Sequence, residues 1–130
     1  MSGHILAFCC EHSAYPAADL AGKRGLRYPE GLRIVKVPCA GRVDILHILK
    51  ALEKGAAGVM VLGCEEGACR HISGNLKAKD RVKYSETLLK EIGIDGGRVG
   101  MFNLAFNAPH KFVRIAGEMS QRVKKSGEAK

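Results

Sequence analysis

Four short apolar runs punctuate the chain, and the stretches between them carry helical spacing. The first strand candidate spans His4 to Phe8 and ends in Cys9-Cys10. The second, Leu32 to Val37, alternates weakly and meets Pro38, which cannot continue a central ladder. The third, Gly58 to Leu62, is wholly apolar, the pattern of a central parallel strand covered on both faces. The fourth spans Arg98 to Leu104.

A short helix, Ala17 to Ala21, is predicted after the first strand and stopped by Gly22; Gly25, Tyr28-Pro29 and Gly31 then mark an irregular connection. Cys39-Ala40-Gly41-Arg42 reads as a tight turn into a helix from Val43 to Lys54. Its residues Ile45, Leu46, Ile48, Leu49 and Leu52 form one broad stripe, and Gly55 stops it. The longest helix begins near Gly74–Leu76 and runs to Ile92. Ala78, Val82, Ser85, Leu89 and Ile92 share its inner stripe, with Lys77, Lys79, Arg81 and Lys83 elsewhere. Asn107-Ala108-Pro109 supplies a cap and first turn for a last helix, Ala108 to Lys124, which turns Phe112, Ile115, Ala116, Met119 and Val123 inward.

Strands and helices alternate, and each crossover is long enough for a parallel connection. The fold class expected is α/β. It is a small three-layer sandwich of about four parallel strands, Rossmann- or flavodoxin-like, with its ligand at the carboxyl edge of the sheet. Residues 1–124 are expected to form one domain and 125–130 a frayed tail.

A chain of 130 residues with 46% hydrophobic and 26% charged residues suits one soluble domain. No apolar run reaches the roughly 18–20 residues of a membrane span. Met1-Ser2-Gly3-His4 lacks the features of a signal peptide, so a cytoplasmic location is expected. The net charge of +8 admits nucleic acid, an acidic protein partner or a solvated basic face. With no tryptophan, and no Phe or Tyr interleaved with the basic clusters, a nucleic-acid stacking platform is disfavoured.

Five cysteines change the picture. In a reducing compartment they argue against disulfides and for buried thiols, a metal site or a redox site. Cys10, Cys39 and Cys64 each close an apolar run, so three strands deliver thiols to one edge, and Cys69 adds a fourth. Four thiolates suit zinc or an iron–sulfur cluster. Adjacent strand residues face opposite sides, so Cys10 is expected to ligate rather than Cys9; Cys9, His12 and Ser13 stay open as replacements. Gly41, Gly63, Gly67 and Gly74 let backbone N–H groups approach sulfur, and Arg42, Arg70 and His71 would offset thiolate charge. No Gly-rich nucleotide loop follows the first strand, and there is no Cys-x-x-Cys.

Tyr15 with Ala18-Asp19-Leu20-Ala21-Gly22 forms one recognisable piece. A second is Cys39-Ala40-Gly41-Arg42-Val43-Asp44, and a third runs from Gly63-Cys64 through Cys69 to Ile72-Ser73-Gly74-Asn75 and Lys77. On these residues the chain resembles the delta subunit of methyl-viologen-reducing nickel–iron hydrogenase, from about Ile5 to Val123. The resemblance implies one 2Fe–2S cluster that carries single electrons, with Cys10, Cys39, Cys64 and Cys69 as its ligands. It also implies a donor module of hydrogenase or formate dehydrogenase type, and as acceptor the flavin-containing A subunit of a heterodisulfide-reductase-like complex. The chain would be a relay that turns over no substrate. One departure stands out: the family's first loop carries Cys-x-x-Cys, and alignment on Asp19 puts Cys10 on the first position and Ser13 on the second.

Two other classes compete with the relay. One is a docking subunit with zinc or no metal. The other is a thiol enzyme using Cys64 or Cys69 as a nucleophile beside Arg70 and His71.

Overall fold

The computed structural model describes residues 4–29, 31–64, 74–94 and 96–128. Its strands are β1 (Ile5–Cys10), β2 (Leu32–Val37), β3 (Gly58–Gly63) and β4 (Val99–Asn103), and its helices α1 (Ala14–Lys23), α2 (Ile45–Glu53), α3 (Gly74–Glu91) and α4 (Pro109–Glu128). All strand pairs are parallel, in the order β2-β1-β3-β4. The expected α/β three-layer architecture is therefore present. None of the described helices is long and apolar enough to cross a membrane.

Strand alternation sorts the core into two halves. Met60 and Leu62 of β3 join Ile5, Ala7 and Cys9 of β1 under α1 and α4, where Phe112, Ile115, Met119 and Val123 are buried. Val59 and Val61 face the other way, with Ile48 of α2 and Ala78, Val82 and Leu89 of α3. Every residue of β3 is buried, as its uninterrupted apolar run requires. The start of β3 touches α4 so closely that a Cβ on Gly58 would lie 2.6 Å from Val123 Cγ2. That position admits only glycine without repacking.

Several boundaries differ from the sequence expectation for local reasons. Helix α1 begins at Ala14, not Ala17. Pro16 falls in its first turn, where the missing N–H has no intrahelical acceptor to lose. A 3-10 turn, Ala40–Arg42, precedes α2 and delays it to Ile45, where Asp44 and His47 form a capping box. His47 Nδ1 accepts from Asp44 N at 2.9 Å, and Asp44 Oδ1 accepts from Ile45 N at 2.7 Å. The stripes are also narrower than expected. Leu46 is 63% exposed and Ile92 70% exposed, the latter because it follows the end of α3 in a turn. The inward positions read for α4 are all buried.

The strand order reverses between β1 and β3, since β1 connects through α1 to β2 on one side and β2 connects through α2 to β3 on the other. In open parallel sheets, the crevice beyond the carboxyl ends at such a reversal is where ligands bind.

Candidate metal centre

Cys10 is the last residue of β1, Cys64 directly follows β3, and Cys39 lies two residues beyond β2. Three adjacent strands thus end in a cysteine on one edge. All three residues are buried, yet none joins either apolar core. Cys9 behaves differently. It is fully buried in the cluster under α1 and α4, and burial, followed by the neighbouring Cys10 thiol, pushes its pKa up to about 12. Such a thiol is a small core hydrophobe. The alternation argument that separates Cys10 from Cys9 agrees with this placement.

At the strand reversal the sulfurs of Cys10 and Cys64 lie 3.8 Å apart. Two sulfurs on one tetrahedral metal, each bonded at roughly 2.3 Å, are separated by about 3.8 Å. Burial is the main influence raising the Cys10 pKa, and the Cys64 thiol raises it further. The His12 backbone N–H and the Ser13 side chain oppose them by favouring the thiolate. A cation bound between the two sulfurs would offset the negative charge that burial disfavours on Cys10. The donors present therefore fit a thiolate-bound metal group.

Backbone and side chains hold the edge in shape. Glu11 N donates to Val37 O at 2.8 Å and Leu104 N to Gly63 O at 3.0 Å, which extends the pairing beyond both flanks of the thiol pair. Cys39 has extended backbone and caps the 3-10 turn, its sulfur accepting from Gly41 N at 3.4 Å. The expected approach of a glycine N–H to sulfur is realised there. Cys10 Sγ also points at Pro38 O, 3.9 Å away, which ties the β1 end to the Cys39 loop.

Two supporting residues escaped the sequence reading. Arg81, read as lying off the inner stripe of α3, donates from its guanidinium to Gly41 O and, at 3.1 Å, to Val43 O. It fastens the Cys39 turn to α3. Its position three after Ala78 and one before Val82 puts it on the flank of that stripe, the available signal. Asn103, the last residue of β4, donates from Nδ2 to Cys64 O at 2.6 Å. A polar amide closing an apolar strand was the cue.

Cys69, Arg70 and His71 lie outside the described residues, as does Gly67. Arg42 sits exposed in the 3-10 turn. His12 places its ring Nε2 3.5 Å from Glu11 Oε1. Among the described residues, no three His, Cys, Asp or Glu side chains gather as a complete metal-holding group. Cys10 and Cys64 meet as a pair, and Cys39 shares their edge.

A family model described as the methyl-viologen-reducing hydrogenase delta subunit matches residues 5–127. This chain belongs to that family. The iron-sulfur D subunit of the vhu F420-non-reducing hydrogenase of Methanocaldococcus jannaschii is 47% identical over 123 residues, covering 95% of this chain and 92% of that protein. Its counterpart of the same name in Methanopyrus kandleri is 46% identical over 123 residues, covering 95% and 93%. A different kind of relative is the A subunit of the Ferredoxin/F(420)H(2)-dependent CoB-CoM heterodisulfide reductase of Methanosarcina acetivorans. It is 34% identical over 123 residues, which are 95% of this chain but only 16% of that longer protein. The same delta-type unit thus occurs both as a separate polypeptide and as one segment of a larger chain.

Proposed function

We propose that this delta-family chain is a non-catalytic electron-transfer subunit holding one 2Fe–2S cluster on Cys10, Cys39, Cys64 and Cys69, within a single domain of residues 1–124. The observation that carries the reading is the pair of buried sulfurs 3.8 Å apart at the strand reversal. The relative from M. jannaschii, named for iron and sulfur, supports the element. When bound, such a cluster accepts and releases one electron at a time.

The chain's own residues do the rest. Cys10 and Cys64 supply two thiolates from the ends of rigid strands, which limits how far the ligands move between oxidation states. Cys39 supplies a third from a turn that Arg81 and the Gly41 N–H hold in place. Burial of all three excludes water, and backbone N–H groups near sulfur moderate the thiolate charge.

The partners proposed are a hydrogenase or formate dehydrogenase-type donor and the A subunit of a heterodisulfide-reductase-like complex as acceptor. Occurrence of a delta-like segment inside a relative named as the A subunit of a heterodisulfide reductase supports the second. The net charge of +8 suits docking on acidic protein surfaces.

Iron, acid-labile sulfide and zinc per chain, measured on anaerobically purified protein, test the reading. About two irons and two sulfides are expected for this cluster type. Zinc alone, or no metal, would leave a docking subunit instead.

A further inference from the structure

Ser13 carries a buried hydroxyl that the fold itself does not use. It occupies the N-cap of α1, where a serine side chain ordinarily accepts from the first turn, yet it makes no capping bond. Its Oγ is buried and has no hydrogen-bond partner among the described residues, and the whole residue is 3% exposed. An orphaned buried hydroxyl costs stability, so a serine that neither caps nor bonds requires another explanation.

Its location supplies one. Ser13 N donates to Cys10 O at 3.3 Å and Ala17 N donates to Ser13 O at 3.1 Å, so one tight turn fixes the serine against the end of β1. The turn brings the buried Ser13 back against the buried Cys10, three positions earlier in the chain. A neutral thiol is a poor acceptor, whereas an anionic sulfur is a strong one. The partner missing for Ser13 is therefore one that comes into being when Cys10 binds a metal.

We propose that Ser13 is a positioning residue for the metal centre, donating its hydroxyl hydrogen bond to the Cys10 sulfur once that sulfur is a metal-bound thiolate. This inference rests on the ligand role of Cys10 proposed above. A hydrogen bond to sulfur draws off negative charge and favours the more electron-rich state, so Ser13 raises the reduction potential of the centre. It is not itself a ligand, and its loss leaves the metal in place.

The test compares the anaerobically purified full chain with Ser13→Ala in three measurements: iron per chain, midpoint potential, and resonance Raman spectra in H2O and D2O. The expected variant keeps wild-type iron and has a more negative potential. Its iron–sulfur stretching bands lose part of the deuterium sensitivity seen in the wild type. An iron-loaded variant with unchanged potential and unchanged deuterium sensitivity would overturn this inference alone. Loss of iron on Ser13→Ala would also overturn it, because the serine would then be a ligand or a structural element. A wild-type chain without iron would instead overturn the proposed function on which the inference rests.

Discussion

Cys10 and Cys64 stand 54 positions apart in the chain, yet their sulfurs lie 3.8 Å apart where β1 and β3 end side by side. The parallel pairing brings the two strand ends together. Cys9 of β1 sits opposite Leu62, so Cys10 comes level with Gly63 and Cys64 lies one residue further on, just past the end of β3. Neither residue of the pair belongs to an apolar core cluster, as Cys9 does.

The first prediction separates the adjacent cysteines. Cys10→Ser and Cys64→Ser should each weaken metal retention by more than about tenfold, a loss exceeding the effect of removing a supporting partner. Cys9→Ser should keep its iron and lose only stability, about 1–3 kcal/mol for an unpaired hydroxyl in an apolar core. Iron content and urea unfolding of the three variants check this.

Burial makes a second distinction. Cys9 is fully buried, and its pKa is pushed up to about 12, chiefly by that burial. In the folded, metal-free chain near neutral pH, Cys9 stays protonated and should be the last described thiol alkylated by iodoacetamide. Peptide mass mapping over time checks the order. Early labelling of Cys9 in folded protein would contradict its place under α1 and α4.

Arg81 offers a third test. Its guanidinium serves two carbonyls of the segment that follows Cys39, Gly41 O and Val43 O. Arg81→Ala should cost about 1–3 kcal/mol through carbonyls left short of a donor. It should also weaken metal retention by about tenfold as the Cys39 turn loosens. Arg81→Lys should restore little, because one ammonium does not reproduce the fork. Unfolding curves and iron content of both variants decide it.

Much of this was legible in the chain. The wholly apolar Gly58–Leu62 run identified β3, and the helical spacing of Phe112, Ile115, Ala116, Met119 and Val123 identified the buried side of α4. Cysteines closing apolar runs marked the edge, because a parallel sheet brings such ends together whatever their separation in sequence. What periodicity could not decide was how far a stripe extends around a helix. Leu46 and Ile92 fit their stripes by spacing, but both lie at helix ends, where neighbouring elements no longer cover them. Arg81 and Asn103 were hidden for another reason. Each acts through a backbone carbonyl of a distant segment, and a carbonyl leaves no trace in residue identity.

Packing at the far end of the sheet gives a fourth prediction. A Cβ at Gly58 would meet Val123 Cγ2 at 2.6 Å and Met119 Cε at 3.2 Å. Gly58→Ala should destabilise the chain by about 1–3 kcal/mol through overpacking. Its iron content should stay at the wild-type level, since Gly58 opens β3 while Cys64 follows its other end. Thermal unfolding with parallel iron analysis checks both halves.

The most direct test of the central claim is a redox titration of the anaerobically purified chain followed by electron paramagnetic resonance. A one-electron step that produces the paramagnetic signal of a reduced 2Fe–2S centre, and that disappears in Cys10→Ser and Cys64→Ser, is the predicted result. A chain that remains silent throughout the titration and carries zinc or no metal would contradict the account.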